Sequence, residues 1–309
     1  MSRTEPRRTT EPGAGPGEIR VAVAGASGRM GRVALEAIEA APDLVLAGAV
    51  ARRFAEGTEG ASSPLAAELV TRGIPVYADL ATCLEEASPT VLVEFTSAAV
   101  APSNLRTALE RGVVPVSGTT GLSSQELAAL AALTEERGVG AAVIPNFSLG
   151  AAVLAMLARR AAGYFGAAEI IEQHHDQKLD APSGTALALA RAVAGNLRRR
   201  AGKGPDQPAE SLVAAGRDRG AGGPPPDPRG LSVDGVRVHS VRLSGLVAHH
   251  EIIFASEGET LALRHDSTSR SSFMPGLLLT VRHARALRGL VTSLEDILAM
   301  AGLTASSGG

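Results

Sequence analysis

A short apolar run at residues 19–24 (Ile-Arg-Val-Ala-Val-Ala) meets Gly25-Ala26-Ser27-Gly28-Arg29-Met30-Gly31 and then a helical stretch over 32–41. Strand, glycine turn and helix in that order constrain the fold more than any other feature of the chain. Glycine lets the backbone turn tightly and lets another group come close, because no Cβ stands in the way. The helix start that follows offers unpaired N–H groups and the positive end of the helix dipole. Together they suit the pyrophosphate of a dinucleotide. The spacing is G-x-x-G-x-x-G rather than G-x-G-x-x-G. Glycines alone are a weak signal; the flanking strand and helix give this one its meaning.

Strands and helices keep alternating to about residue 147. A second strand covers 44–50, a short one lies around Val76, and Asp79 caps a helix to residue 87. The buried run 90–95 ends at Thr96-Ser97, and a helix follows to Arg111. The strand 113–117 leads to Gly118-Thr119-Thr120-Gly121, and Ser123 with Glu126 forms a capping box for a helix to Arg137. The strand 141–144 ends in Pro145-Asn146-Phe147. Repeated strand–helix units predict an α/β fold with a Rossmann-type, doubly wound parallel sheet. Ligands of such sheets sit beyond the carboxyl ends of the strands. The loops at Phe95-Thr96, Gly118-Thr119-Thr120 and Pro145-Phe147 are therefore expected to border the cofactor. After the second strand, where an acidic residue would hold the ribose of NAD, the chain has Ala51-Arg52-Arg53. Two cations and no carboxylate lean toward NADPH, with NADH still admitted.

The pattern then changes. A helix over 149–163, a strand over 168–173 and a helix from 185 to about 200 precede residues 201–232, a loop rich in Pro and Gly. Strands follow at 236–242, 247–254 and 260–265, the last two joined at Glu257-Gly258. Strands at hairpin spacing predict a second, α+β domain with an open mixed sheet. Helical stretches at 275–288 and 294–301 are expected to pack back on the first domain. The expected organisation is a disordered tail at 1–17, a dinucleotide-binding domain at 18–147 plus 275–309, and a substrate-binding and oligomerisation domain at 148–274.

Composition narrows the partners. A net charge of −2, 3 % aromatics and no Trp give neither a basic face nor a stacking platform for nucleic acid. The single cysteine, Cys83, rules out an intramolecular disulfide and any cysteine-based metal cluster. No apolar run has the length of a membrane span and the first residues lack an apolar signal core, so a cytoplasmic protein is expected.

The chemistry concentrates at residues 172–185, Glu-Gln-His-His-Asp-Gln-Lys-Leu-Asp-Ala-Pro-Ser-Gly-Thr. His174 and His175 precede a lone cation, Lys178, by four and three residues. Imidazole and ammonium can donate protons and balance an anion. Ser183, Gly184 and Thr185 open a helix whose N–H groups form a ready carboxylate site. Acid, cation and anion cradle within a dozen residues suit a small dicarboxylate that must be protonated. A second pair, His249-His250, lacks further ligands at metal spacing and reads as strand-borne histidines; no metal site is expected.

These motifs resemble one family closely, the 4-hydroxy-tetrahydrodipicolinate reductases, also called dihydrodipicolinate reductases, of lysine and diaminopimelate synthesis. The resemblance runs in order from Val21 to about Leu303. It covers residues 25–31, Glu94-Phe95-Thr96, 118–121, Asn146-Phe147-Ser148 and 172–185, then 245–251 and 264–270. It implies NAD(P)H-dependent reduction, with His174 as acid or stabiliser and Lys178 as proton donor or charge partner. It implies that His175, Ser183, Gly184 and Thr185 hold the substrate carboxylates. Gly25, Ala26, Ser27, Gly28, Arg29, Met30, Gly118, Thr119, Thr120, Ile144, Pro145, Asn146 and Phe147 would line the cofactor, with Arg52 near its 2′-phosphate. It also implies a homotetramer. The same motifs would serve a reductase of another cyclic imine or enamine carboxylate. A non-catalytic dinucleotide-binding redox sensor is a third reading, but a sensor has no need of His174, Lys178 and the 183–185 cradle in one cluster.

Overall fold

The computed structural model describes residues 18–54, 63–200, 202 and 229–303. The expected tail at 1–17 and most of the 201–232 loop lie outside the described residues. Packing divides the chain into two compact units. One runs to Val143 and takes back Thr280–Thr292; the other holds Ile144–Leu279 and the chain from Ser293.

The first unit is built on β1 (Ile19–Ala24), α1 (Arg29–Ala40), β2 (Leu44–Val50), α2 (Pro64–Thr71), β3 (Val76–Tyr77), α3 (Leu80–Glu86), β4 (Val91–Glu94), α4 (Ala101–Glu110), β5 (Val114–Ser117), α5 (Ser124–Arg137) and β6 (Ala141–Val143). With a short strand at Leu290–Val291 the sheet has seven strands. Their order is Leu290–Val291, β6, β5, β4, β1, β2, β3, and every pairing is parallel. β4 is buried along its whole length, as a strand covered on both faces must be. Helix α1 begins three residues earlier than expected, because Gly28 rather than Gly31 stands at its N-cap. The Ser123–Glu126 capping box forms on α5, which Gly138 closes in the left-handed conformation. Three elements carry too little periodicity to read from sequence: α2, the two-residue strand at Leu290–Val291, and the three-residue strand at Leu231–Val233, which opens inside the expected 201–232 loop.

The second unit contains α6 (Leu149–Ala161), β7 (Ala167–His174), α7 (Gly184–Arg200), β8 (Leu231–Val233), β9 (Val236–Arg242), β10 (Ala248–Ser256), β11 (Glu259–Ser267), the first part of α8 (Met274–His283), and α9 (Leu294–Met300). Its sheet order is β11, β10, β7, β9, β8; only β7 and β9 run parallel, so the sheet is mixed as expected. Alternate residues of β7, Ala168 and Ile170, are buried with Phe254, Ile252 and Val238 against Leu154 of α6 and Leu189, Val193 and Leu197 of α7. Full burial of one such Ile or Phe contributes about 1.5–3 kcal/mol. The same face turns polar at the end of β7, where Glu172 and His174 continue the alternation.

Both expected domain boundaries move. The segment from Ile144 belongs to the second unit, where Gly276 lies so close to Phe147 that an added Cβ would come 2.1 Å from the Phe147 carbonyl oxygen. The last helix, α9, also belongs there and not with the first unit: Leu294, Ile297 and Leu298 are buried, and Glu295 pairs with Arg159 of α6.

Candidate active site

In the first unit, β1 ends at a turn whose first residue, Gly25, has φ +81°. An added Cβ would come 2.3 Å from the Phe95 carbonyl oxygen, and one on Gly31 would come 2.1 Å from that of Gly25. Side chains are thus excluded where the loop folds back on itself. The Gly25 and Ala26 N–H groups donate to the Val50 carbonyl (3.0 and 3.1 Å), and Gly28 donates to Gly25 (2.8 Å). Ser27 is half-buried, while Gly28 and Arg29 are exposed. No side chain caps α1 at Gly28. The first-turn N–H groups therefore take no capping side chain from Gly28, and at the positive end of the helix they suit a pyrophosphate. Arg52 and Arg53 stand exposed in a single 3-10 turn just past β2.

The loops after β4 and β5 are joined by a carboxylate that sequence reading missed. Glu94 is fully buried. One oxygen accepts the Thr96 N–H (2.8 Å) and the Thr96 hydroxyl; the other accepts the hydroxyls of Ser117 and Thr119, both at 2.7 Å. Thr119 also donates its N–H to Ser117 Oγ (3.1 Å). Three residues expected at the cofactor, Thr96, Gly118 and Thr119, are thereby held from one side chain and its backbone, since Gly118 donates to the Glu94 carbonyl (3.1 Å). Phe95 is half-buried and Thr120 exposed.

In the second unit the registers assemble a polar cluster. On β7, His174 pairs with Ala248 of β10 and Arg242 of β9, while Glu172 pairs with His250 and Ser240. Glu172 is fully buried. Its carboxylate lies 2.5 Å from His174 Nδ1, takes both terminal nitrogens of Arg242 (2.7 and 3.0 Å), and accepts the Ser183 N–H (3.3 Å). Burial pushes its pKa up, but hydrogen bonds from His174, Arg242 and Ser240 outweigh this and hold it down at about 2. The carboxylate is ionised across the physiological range.

Ser183 is buried and caps α7, its Oγ accepting the Ala186 N–H (3.2 Å) and lying 3.4 Å from His250 Nε2. The next two N–H groups, of Gly184 and Thr185, have no intrahelical partner by position. An added Cβ on Gly184 meets nothing within 4 Å, so the backbone there is open. Thr185 Oγ1 accepts from Asn146 Nδ2 at 3.4 Å, which brings one residue expected at the cofactor beside one expected at the substrate. Ile144 and Phe147 are buried and Pro145 is exposed.

Lys178 reaches the carboxylate cluster indirectly, through Asp180 and Arg242. The His175 carbonyl accepts the Lys178 N–H (3.1 Å), and the Lys178 ammonium donates to Asp180 (2.7 Å). That ammonium lowers the Asp180 pKa against a small burial effect. The Asp180 carbonyl in turn accepts from Arg242 (2.7 Å).

Sequence reading missed Glu172, Arg242, His250 and Asp180. Glu172 was within reach, lying two residues before His174 on a strand and hence on the same face. His250 was seen only as a strand residue. Arg242 carries no local signal at all; only strand pairing brings it to Glu172. The second pair is split by the pleat: His249 bonds Asp266 (2.7 Å) on the opposite face from His250.

A parallel sheet with a glycine-lined helix start, and a mixed-sheet unit carrying a carboxylate–imidazole–guanidinium cluster, define a two-unit, nucleotide-dependent reductase. The family models for dihydrodipicolinate reductase match the chain over residues 19–147 (N-terminus) and 150–298 (C-terminus). The chain belongs to the dihydrodipicolinate reductase family and is an NAD(P)H-dependent oxidoreductase. It is 46 % identical over 280 residues to the 4-hydroxy-tetrahydrodipicolinate reductase of Moorella thermoacetica, covering 91 % of this chain and 98 % of that one. The Bacillus subtilis protein of the same name is 40 % identical with the same coverage. Among solved structures, a dipicolinate-bound dihydrodipicolinate reductase from Paenisporosarcina sp. TG-14 is similar, with a TM-score of 0.70, 33 % identity, and coverage of 91 % of this chain and all of that one. None of the helices among the described residues is long and apolar enough to cross a membrane.

Proposed function

We propose that this chain reduces 4-hydroxy-tetrahydrodipicolinate to tetrahydrodipicolinate in lysine and diaminopimelate biosynthesis, as a cytoplasmic homotetramer. The observation that carries the reading is the buried His174–Glu172–Arg242 cluster beside the open start of α7, in a chain 46 % identical to a reductase of that name. Loss of the 4-hydroxyl as water leaves a conjugated C=C–C=N ring that takes hydride at carbon and a proton in turn. The nicotinamide cofactor, when bound, supplies the hydride. His174 donates the proton or stabilises the negative charge developing on the ring, and Lys178 is its partner in that task. The N–H groups of Gly184 and Thr185, with the Ser183 and Thr185 hydroxyls and His175, hold the two carboxylates, which stay charged throughout. A relative solved with dipicolinate, itself a ring dicarboxylate, supports this choice of ligand.

Gly25, Ala26, Ser27, Gly28, Arg29 and Met30 hold the cofactor pyrophosphate, and Phe95, Thr96, Gly118, Thr119, Thr120, Ile144, Pro145, Asn146 and Phe147 border the rest. Arg52, with Arg53, favours NADPH over NADH. Among the described residues β11 is an edge strand of its sheet, which favours assembly by pairing of second-unit sheets. The decisive experiment follows NADPH oxidation by the purified protein with substrate made fresh from aspartate semialdehyde and pyruvate. Turnover that depends on both precursors is expected; its absence sinks the reading. Light scattering is expected to give a tetramer, and a monomer at micromolar concentration contradicts it.

A further inference from the structure

Glu172 and His174 lie two residues apart on β7 and share the buried face of the sheet. Donors surround the Glu172 carboxylate on both oxygens, with the Ser240 hydroxyl among them. Arg242 Nη2 and the Ser183 N–H meet Oε1, while Arg242 Nη1 and His174 Nδ1 meet Oε2. A protonated Glu172 would set an O–H against one of these donors, so the acid form does not fit. An oxygen that can only accept, 2.5 Å from a ring nitrogen, requires the proton on that nitrogen.

Resting on the functional reading above, we propose that Glu172 is a positioning residue for the reduction. It fixes the Nδ1–H form of His174 and so assigns Nε2 as the nitrogen that meets the substrate, with Arg242 as the fixed counter-charge. The depressed pKa of Glu172, about 2, agrees with a carboxylate that never takes the proton itself. In serine proteases the aspartate behind the catalytic histidine acts in this way, and its amide variant, with the wrong tautomer, loses about 10⁴ in kcat. Carboxylates that orient metal-bound histidines are worth about 10–100-fold. An effect of about 10²-fold lies between these.

The test uses the full-length enzyme with NADPH and the variants Glu172→Gln and Glu172→Asp. Gln keeps a carbonyl for the Ser183 N–H but offers His174 no charge. Steady-state kinetics, NADPH Kd and solid-state ¹⁵N spectra of histidine-labelled protein are recorded, with the His174 signals identified by their loss in His174→Gln. The expected result is a protonated Nδ1 in the wild type. Glu172→Gln then loses this signature and about 10²-fold in kcat, with KM and NADPH Kd within about threefold, and Glu172→Asp recovers part of the loss. A folded Glu172→Gln enzyme with near-normal kcat overturns the proposal, and so does a wild-type spectrum with a bare Nδ1. Should Glu172→Gln not fold, the wild-type spectrum and the kcat-against-KM split in Glu172→Asp decide it. A wild type that does not turn over this substrate sinks the functional reading instead, and the spectra alone then decide the tautomer.

Discussion

The imidazole rings of His174 and His250 meet edge to face, with centroids 5.4 Å apart and planes at 80°. Strand register puts them there, since His250 pairs with Glu172 one step along the same face from His174. Burial, and then the neighbouring His174, push the His250 pKa down to about 4, against a smaller upward pull from Glu172.

Acid stability follows from that shift. Between pH 6.5 and about 4 the unfolded chain binds a proton at residue 250 that the folded chain refuses. Stability is therefore full above pH 6.5 and falls as pH drops toward 4, by about 3 kcal/mol from this group. His265, lowered by burial, adds in the same direction. Glu172 acts in a lower window, its contribution present above pH 4.5 and lost as pH falls toward 2. Urea unfolding of wild type and His250→Asn, compared near neutrality and near pH 4.5, is expected to show a shallower pH dependence in the variant. Equal slopes would clear His250 of this role.

Two glycines separate fold from ligand. Gly31→Ala drives a Cβ into the Gly25 carbonyl, a backbone group that cannot swing aside, and is expected to lower stability by about 1–3 kcal/mol. Gly184→Ala meets open space and is expected to leave thermal stability unchanged or slightly raised. If the substrate carboxylate approaches this backbone as proposed, KM for Gly184→Ala rises severalfold. An unchanged KM would place the carboxylate elsewhere.

Glu94→Ala strands the buried donors of Ser117 and Thr119 and the half-buried ones of Thr96. Unsatisfied buried donors cost about 1–3 kcal/mol each, so a loss of several kcal/mol in denaturant unfolding is expected. Glu94→Gln is expected to fold and to weaken NADPH binding about tenfold, roughly one hydrogen bond's worth. Calorimetric titration giving wild-type affinity would show that these loops do not need their common anchor.

Replacing Arg52 and Arg53 together by Ala is expected to weaken NADPH by at least tenfold and to leave NADH nearly unchanged, because only the 2′-phosphate gives them a charge-assisted partner, each contact contributing about 1.5–3 kcal/mol. Equal loss for both cofactors in a fluorescence titration would refute this assignment.

His174→Ala and Lys178→Ala are each expected to lower kcat by about 10²-fold or more while NADPH Kd holds steady. Lys178→Ala should also raise KM, since the ground-state substrate already carries the charge that Lys178 meets. Near-normal turnover in either variant removes that residue from the mechanism.

Much of what depends on neighbours along the chain was legible, Glu172 being the exception. Strand–glycine–helix order, the capping box at Ser123, the strand that delivers His174 and the Ser183 cap are all set by residues a few positions apart, where local sterics and hydrogen bonding decide. α2 and the strands at Leu231–Val233 and Leu290–Val291 escaped because eight, three and two residues carry little periodic signal.

What surrounds the site chemically was decided by tertiary structure. Nothing in residues 172–185 indicates that Arg242 and His250 flank them, because β9 and β10 could pair with β7 in many registers. The actual register is the one that lays Val238, Ile252 and Phe254 beside Ile170 in a single apolar face. Sequence alone determined which groups were available: two imidazoles, an ammonium and a helix start. Packing of the apolar face determined that a buried, ionised Glu172 would sit behind His174, since side-chain alternation with period two carries every register choice from the core to the end of the strand.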